Sequence, residues 1–398
     1  MSKPSVARDS AESLLHQELE VTIEKMAITG EGVARHQTAV IFVPWACPGD
    51  RLKIRIDFAK KNHYHGKILE IIQPGPSRVQ PPCEYAGKCG GCTWQQISRE
   101  QQLLEKESLV REVLEKFLPG MDLSLNPIVP SPKAFGYRSR IQPRLKGSEL
   151  GFYGWKSHTL IPVKDCLLVE EPLRIFFREG VHLPRRDSKA EIKVELYLTQ
   201  EGTGAYRVLA DEVEDQLFSQ VNLLQNDDLT STVTHWSQKH KPTVIFDFYS
   251  GAGNFTFPLS AAHKSTQVVG VESNAELVRL ARKRAEQQKI PAKFLEFYAT
   301  SSDIFLRRFI LDEKTLVVLD PPRGGTSEFV LKSFAASGLK QLIYVSCNPV
   351  SLGRDLSFLK AALAKRGKKL KIEQIQTFEM FPQTNHLETL VELSIDSH

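Results

Sequence analysis

The last third of this chain restricts its fold more than any other part. Four short runs at 244–249, 268–272, 316–320 and 342–346 are rich in apolar and β-branched residues, with helical candidates at 275–288, 327–336 and 350–365 between them. Short apolar runs alternating with helices imply a mostly parallel sheet covered by helices, which is an α/β fold. In such a sheet the ligand crevice lies outside the carboxyl ends of the strands. The residues at those four tips are therefore the first candidates for chemistry.

The first run continues through Asp247, Tyr249 and Ser250 into Gly251-Ala252-Gly253-Asn254, where two glycines let the backbone bend sharply and approach a ligand closely. A Gly-x-Gly alone matches many turns. The second run, however, ends on Glu272 about twenty residues on, where an acid can accept hydrogen bonds from a ribose diol. No third glycine follows at the dinucleotide spacing, and Pro258 occupies the region. A nucleoside without a pyrophosphate fits better, and S-adenosylmethionine is the expected cofactor. The third run ends in Asp320-Pro321-Pro322-Arg323. An aromatic after Asp-Pro-Pro would suggest methylation of an exocyclic base nitrogen with the flipped base stacked on the ring. Arg323 stands there instead, which leaves carbon as the acceptor.

The fourth run delivers Ser346 and Cys347 to a turn at Asn348-Pro349. A cysteine there is either a small core residue or a nucleophile. Carbon 5 of a pyrimidine becomes nucleophilic only after something adds to carbon 6, and a thiolate can do so. A base must then take the carbon 5 proton so that the thiol can leave. Near the end of the chain, Phe381-Pro382-Gln383-Thr384-Asn385-His386-Leu387-Glu388 supplies His386 and Glu388, which share a face if 389–395 is a strand. A surface carboxylate is the alternative reading of Glu388.

Upstream, 19–28, 38–43, 52–58 and 65–72 read as short strands joined by Gly and Pro turns, which suggests a small OB-like barrel. Lys60, Lys61, His63, Tyr64 and His65 interleave charge with aromatics, as phosphate contact plus base stacking requires. Then comes Cys83-x5-Cys89-x2-Cys92 in a polar, glycine-rich context without strand or helix period. Three thiols there point to a metal, with Cys166 as the candidate fourth ligand. Spacing favours zinc first and an iron–sulfur cluster second. It does not match the C-x3-C-x2-C of radical enzymes. A helix is expected over 94–118, strands return from about 134 to 209, and a helical stretch is expected over 211–236. Arg138, Arg140, Arg144 and Lys146 form a basic run that suits a polyanion or a solvated face.

These motifs together resemble the RNA 5-methyluridine (uracil-5) methyltransferase family, over nearly the whole chain. The resemblance implies that Cys347 is the nucleophile and Glu388 the base. It implies donor contacts from Gln220, Tyr249, Asn254, Glu272 and Asp320. It also implies that Cys83, Cys89, Cys92 and Cys166 hold a [4Fe-4S] cluster rather than zinc, and that the barrel is a TRAM domain. Barrel and cluster together indicate the RlmD-like branch, with uridine in 23S ribosomal RNA as substrate. Ser250 stands where many members carry cysteine, and no adenine contact is assigned over 297–303.

The expected architecture is a Rossmann-like class I S-adenosylmethionine methyltransferase domain at 211–398, an OB-like barrel at 1–75 and a β-rich, cluster-bearing RNA-binding domain at 76–210. The helix at 94–118 is assigned to the middle domain but is free to pack on the last. A net charge of +5 is compatible with RNA without requiring it. With no apolar run long enough to span a membrane and no signal-like start, a cytoplasmic, monomeric enzyme is expected. The alternatives are a tRNA uridine-54 methyltransferase, an RNA cytosine-5 methyltransferase, whose usual Pro-Cys is absent from 320–322, and a non-catalytic RNA-binding assembly protein.

Overall fold

The computed structural model describes residues 14–60, 63–181, 191–209 and 220–397. The amino-terminal strands β1 (Glu18–Met26), β2 (Gly32–His36), β3 (Ala39–Val43), β4 (Arg51–Lys60) and β5 (His63–Gln73) close into a barrel in the order β1-β2-β3-β5-β4. Val21, Ile23, Ile41, Val43, Leu52, Ile54, Ile56 and Tyr64 fill it, alternating with outward polar residues as a strand's period of two demands. β2 lies where sequence pattern shows only a turn, because it begins directly after Gly30 and Glu31. Tyr64 is a correction: its ring is 5% exposed and belongs to the barrel core, so it offers no stacking face. Lys61 lies outside the described residues.

Helix α1 (Arg99–Phe117) starts at the Ser98 cap, whose hydroxyl accepts the Gln101 N–H at 3.4 Å. It starts later than 94 because Trp94 and Ile97 are committed to a small buried cluster in the preceding turns. Its Val110, Leu114 and Leu118 join the core of the carboxy-terminal sheet. The middle of the chain forms β6 (Arg140–Ile141), β7 (Arg144–Lys146), β8 (Glu149–Tyr153), β9 (Leu160–Pro162), α2 (Glu171–Glu179), β10 (Ile192–Leu198) and β11 (Gly204–Leu209). These strands make one antiparallel sheet in the order β11-β10-β7-β8-β9, with β6 paired to β10.

After α3 (Leu223–Gln238) come β12 (Val244–Phe248), α4 (Thr256–Ala262), β13 (Gln267–Glu272), α5 (Ala275–Gln287), β14 (Leu295–Ala299), α6 (Ser302–Phe305), β15 (Thr315–Leu319), α7 (Glu328–Ala336), β16 (Gln341–Ser346) and α8 (Pro349–Ala364). The chain ends with β17 (Lys368–Phe378) and β18 (Glu388–Ser397). The expected helix over 211–236 is thus observed only from Leu223, and 211–219 lie outside the described residues.

These strands form a seven-stranded sheet in the order β14-β13-β12-β15-β16-β18-β17. The first five run parallel, whereas β18 lies antiparallel to both β16 and β17. The carboxyl tips of β12, β13, β15 and β16 therefore meet the amino end of β18. Among the described residues no helix is long and apolar enough to cross a membrane.

Because Leu114 is fully buried against this sheet, Leu114→Ala is expected to cost about 2–5 kcal/mol through lost transfer energy and a cavity. Urea unfolding followed by far-UV circular dichroism measures the loss.

Candidate active site

Cys347 follows the last residue of β16, one residue before the Asn348 cap of α8. Ser346 pairs with Thr389 and Phe378 with Glu388, so antiparallel register sets Glu388 across from Cys347 at the start of β18. Glu388 is 5% exposed. Burial, reinforced by Asp320 and opposed by Arg323, raises its carboxyl well above the usual range. The Cys347 thiol is pushed up to about 12 by burial and by the negative charges of Glu388 and Asp320, again opposed by Arg323. His386 lies just outside β18 and opens onto an adjoining cavity. Partial enclosure and the cations Arg323, Arg138 and Lys106 push its imidazole down to about 4, so it stays neutral.

The loops around these two residues are rigidly tied. Asn348 donates its side-chain N–H to the Arg323 carbonyl at 3.0 Å and accepts the Val350 N–H at 3.1 Å, joining the Cys347 turn to the Asp-Pro-Pro-Arg loop. Asp355 on α8 accepts the Thr326 N–H at 2.8 Å and the Tyr344 hydroxyl at 2.7 Å. Sequence pattern alone does not single out Asp355, since an acid on a helix reads as solvated surface until the fold turns it inward.

Beside them lies the crevice of the parallel strands. Tyr249, Gly251 and Gly253 all have positive φ, at 65°, 55° and 92°, so the chain coils tightly past the tip of β12. For Tyr249 that conformation is strained, as is common where a loop is shaped for a ligand. The Tyr249 hydroxyl bonds Thr326 Oγ1 at 2.9 Å. Asn254 exchanges amide hydrogen bonds with Asn226 of α3 at 2.9 and 3.0 Å. Glu272 accepts the Gly251 N–H at 3.1 Å and the Asn274 N–H at 2.8 Å, which pins the glycine loop to the start of α5. Over 297–303, Ser301 caps α6 and Asp303 accepts the Ser327 hydroxyl at 2.7 Å.

One residue that sequence pattern does not reveal is Asp247, fully buried at the end of β12. Burial pushes its carboxyl up to about 7 although Thr256 Oγ1 donates to it at 2.5 Å, and its Oδ1 has no hydrogen-bond partner among the described residues. Asp320 is pushed up to about 8 by burial and by Asp247. Asp247 thus raises Asp320 and Asp320 raises Glu388, and Arg323 opposes the shift at Glu388. A positive charge placed beside these acids, such as the sulfonium of S-adenosylmethionine, would favour their ionised forms.

Cys83, Cys89, Cys92 and Cys166 line one cavity of about 550 Å³, whose wall also includes Gln220, Arg138, Arg323, Phe381 and His386. Gln220 therefore faces the cysteine cavity. Among the described residues no group of three or more His, Cys, Asp or Glu is gathered closely enough to hold a single metal ion. The basic run does not form one face. Arg138 and Arg140 reach the cavity, and Arg140 pairs with Glu195. Arg144 lies over the Tyr153 ring, and Lys146 pairs with Glu191 at 3.5 Å. A second, larger groove of about 1020 Å³ lies between the barrel and the β8–β9 turn, lined by Phe42, Phe58, His63, His65, Trp155 and Lys156 among others.

Fold and crevice define a class I methyltransferase of the S-adenosylmethionine-dependent type. Residues 177–395 match the tRNA (uracil-5-)-methyltransferase family and residues 12–69 match the TRAM domain. The chain belongs to this family of RNA (uracil-5-)-methyltransferases. An uncharacterized RNA methyltransferase of Bdellovibrio bacteriovorus is 41% identical over the whole of both chains. The 23S rRNA (uracil(1939)-C(5))-methyltransferase RlmD of Yersinia enterocolitica is 27% identical over 94% of each chain. The structure of Pyrococcus abyssi tRNA (uracil-54, C5)-methyltransferase in complex with S-adenosyl-L-homocysteine shares the fold, with a TM-score of 0.68 and 21% identity over 94% of this chain and 100% of that one.

The crevice acids make a charge-specific prediction. As pH rises through about 7 and 8, Asp247 and Asp320 lose protons and the site becomes more anionic. The affinity for cationic S-adenosylmethionine relative to neutral S-adenosylhomocysteine is therefore expected to rise between pH 6.5 and 8.5, by about tenfold at most for each pK unit of coupling. Calorimetric titration with both ligands across that range measures the ratio.

Proposed function

We propose that this protein forms 5-methyluridine in 23S ribosomal RNA, with Cys347 as nucleophile and Glu388 as base. The observation that carries the reading is the juxtaposition of that thiol and that buried carboxyl across β16 and β18, beside a donor crevice lined with acids. Tyr249, Asn254, Glu272 and Asp320 at the crevice, with Gln220 from the neighbouring cavity, are the proposed donor contacts. The RlmD relatives favour ribosomal RNA; the tRNA uridine-54 enzyme that shares the fold marks the second reading.

Bound S-adenosylmethionine supplies an electrophilic methyl group on a sulfonium. Positive charge from the donor and from Arg323 favours the ionised forms of Cys347 and Glu388, whose protons pass to solvent. The Cys347 thiolate adds to uracil carbon 6, and the electron pair so released makes carbon 5 nucleophilic. Carbon 5 takes the methyl group as the donor's methyl carbon–sulfur bond breaks, leaving neutral S-adenosylhomocysteine. Glu388 then accepts the carbon 5 proton, the carbon–sulfur bond breaks, and Cys347 leaves as thiolate. A carboxyl with a raised pKa is the stronger proton acceptor for that last step.

The grooves suit a structured RNA. Exposed Phe58 with Phe42 and His63 offers stacking surface, and Lys60 and Lys67 offer phosphate contacts along the same groove, where Lys156 pairs with Glu31 at 3.1 Å and lies over the Trp155 ring. A [4Fe-4S] cluster is the proposed occupant of the cysteine cavity, since Cys83, Cys89, Cys92 and Cys166 all line it and all four donors are sulfurs. The Gly91 N–H also approaches the Cys89 sulfur at 3.4 Å, a contact that stabilises thiolate charge. A cluster there would brace the cavity wall, and the proposed reaction needs no electron from it.

Cys347→Ala is expected to lose methylation by at least about a thousandfold, since removing the nucleophile removes the covalent route. Glu388→Gln should instead accumulate a protein–RNA adduct resistant to denaturant. Mass mapping of 5-methyluridine in cells with and without the protein tests the substrate; loss from tRNA with unchanged rRNA would overturn the ribosomal assignment. Anaerobically purified protein is expected to contain about four iron atoms per chain and to absorb in the visible, with Cys89→Ser and Cys166→Ser losing both. Stoichiometric zinc would overturn the cluster.

A further inference from the structure

The loop leading to Glu388 is held mainly by residues far from it in the chain and outside the methyltransferase sheet. Lys106 on α1, itself fully buried, donates to the Phe381 carbonyl at 3.2 Å, and the Tyr137 hydroxyl donates to the Pro382 carbonyl at 3.1 Å. The Gln383 carbonyl accepts the Thr93 and Trp94 N–H groups at 3.1 and 3.0 Å, while its own N–H donates to Gln102 Oε1 at 3.0 Å. Gln383 is kept at φ 67°, a conformation it would not choose in a free loop. Asn385, 8% exposed, reaches furthest. Its side-chain N–H donates to the Ile28 carbonyl in the barrel at 2.9 Å, and its oxygen accepts the Thr93 hydroxyl at 3.1 Å. Gly30 packs so closely on it that a Cβ there would stand 2.9 Å from Asn385 Oδ1.

We infer that Asn385 is a positioning residue for the base, tying the loop that carries Glu388 to the barrel and to Thr93, so that the seating of the barrel sets where the Glu388 carboxyl stands beside Cys347. The inference rests on the function proposed above. Asn385 lies three residues before Glu388, and Leu387 between them is already packed in the sheet core. A shift at Asn385 is therefore passed on within a few residues. The Cys347 turn and the Asp-Pro-Pro-Arg loop are held separately, by Asn348 and by Asp355, and the hydrogen bonds that hold them do not run through Asn385. Addition of Cys347 to carbon 6 and methyl transfer thus depend on one set of contacts. Transfer of the carbon 5 proton to Glu388, with cleavage of the carbon–sulfur bond, depends on another.

The test compares full-length parent, Asn385→Ala, Thr93→Val and the double variant on a 23S rRNA fragment with methyl-labelled S-adenosylmethionine, scoring denaturant-resistant adduct and released 5-methyluridine separately. Glu388→Gln serves as the adduct reference. Asn385→Ala is expected to form adduct within about twofold of the parent rate but to release product about tenfold more slowly, raising the adduct fraction. Thr93→Val should move in the same direction, and the double variant should be no slower than Asn385→Ala, because both act through one contact. Adduct formation and release falling together, or neither changing, would overturn the inference. If Asn385→Ala fails to fold, Thr93→Val alone decides, since it removes one hydroxyl at nearly constant volume. A parent that makes no 5-methyluridine, together with a Glu388→Gln variant that traps no adduct, overturns the uridine reading itself and the positioning role with it.

Discussion

The structure depends on one reversal of direction. Five parallel strands can bring only their carboxyl tips to a crevice, and a sixth added in parallel would bring another tip of the same kind. β18 instead runs antiparallel beside β16, and its first residue, Glu388, arrives where β16 ends at Cys347. β17 covers its other side, so the carboxyl is buried from the moment the strand begins. Burial raises the proton affinity of Glu388, and backbone pairing sets its register against the thiol while the barrel-tied loop before it holds its approach. Both properties are what a base acting once, at the end of a covalent sequence, requires.

That arrangement concentrates negative charge. Asp247, Asp320 and Glu388 are each pushed toward their neutral forms by burial and by a neighbouring acid. Burial and the neighbouring acids thereby favour the protonated Cys347 thiol. A cationic donor changes this balance without any movement of the protein, because a positive charge in a poorly solvated space stabilises every nearby anion. Donor occupancy and nucleophile activation are in this way electrostatically linked.

The accessory parts of the chain are joined to this centre by buried polar contacts. Glu379 is fully buried and answers Arg99 at 2.9 Å, the Ser131 N–H at 3.0 Å and Lys106 at 3.7 Å. Removing one partner of such a group costs about 3–5 kcal/mol, since the charge left behind has no solvent. Desolvation lowers the Lys106 ammonium to about 8 despite Glu379. Contacts of this kind specify a single docking geometry more than they add stability. They keep α1, the barrel and the sheet in register around the loop 381–388.

The local signals in the sequence were sufficient for four of the five parallel strands and the residues at their tips, but not for β14. Apolar runs of five or six residues ending in Asp, Glu or Cys can be recognised because burial on both faces leaves little choice of residue, and polar groups at the ends must then serve a purpose. Cys347, Glu272 and Asp320 are legible on that ground, and so are the clustered cysteines, whose spacing matches no secondary-structure period. Tertiary structure alone decided the rest. Tyr64 reads as a stacking residue until the barrel turns it inward, and the basic run from Arg138 to Lys146 divides because successive residues face different partners. Asp247 and Asp355 look like ordinary acids until packing removes their water. The pairing of Cys347 with Glu388, forty-one residues apart, and of Asn385 with Ile28, at the other end of the chain, follows from strand direction and domain docking, which no local periodicity encodes.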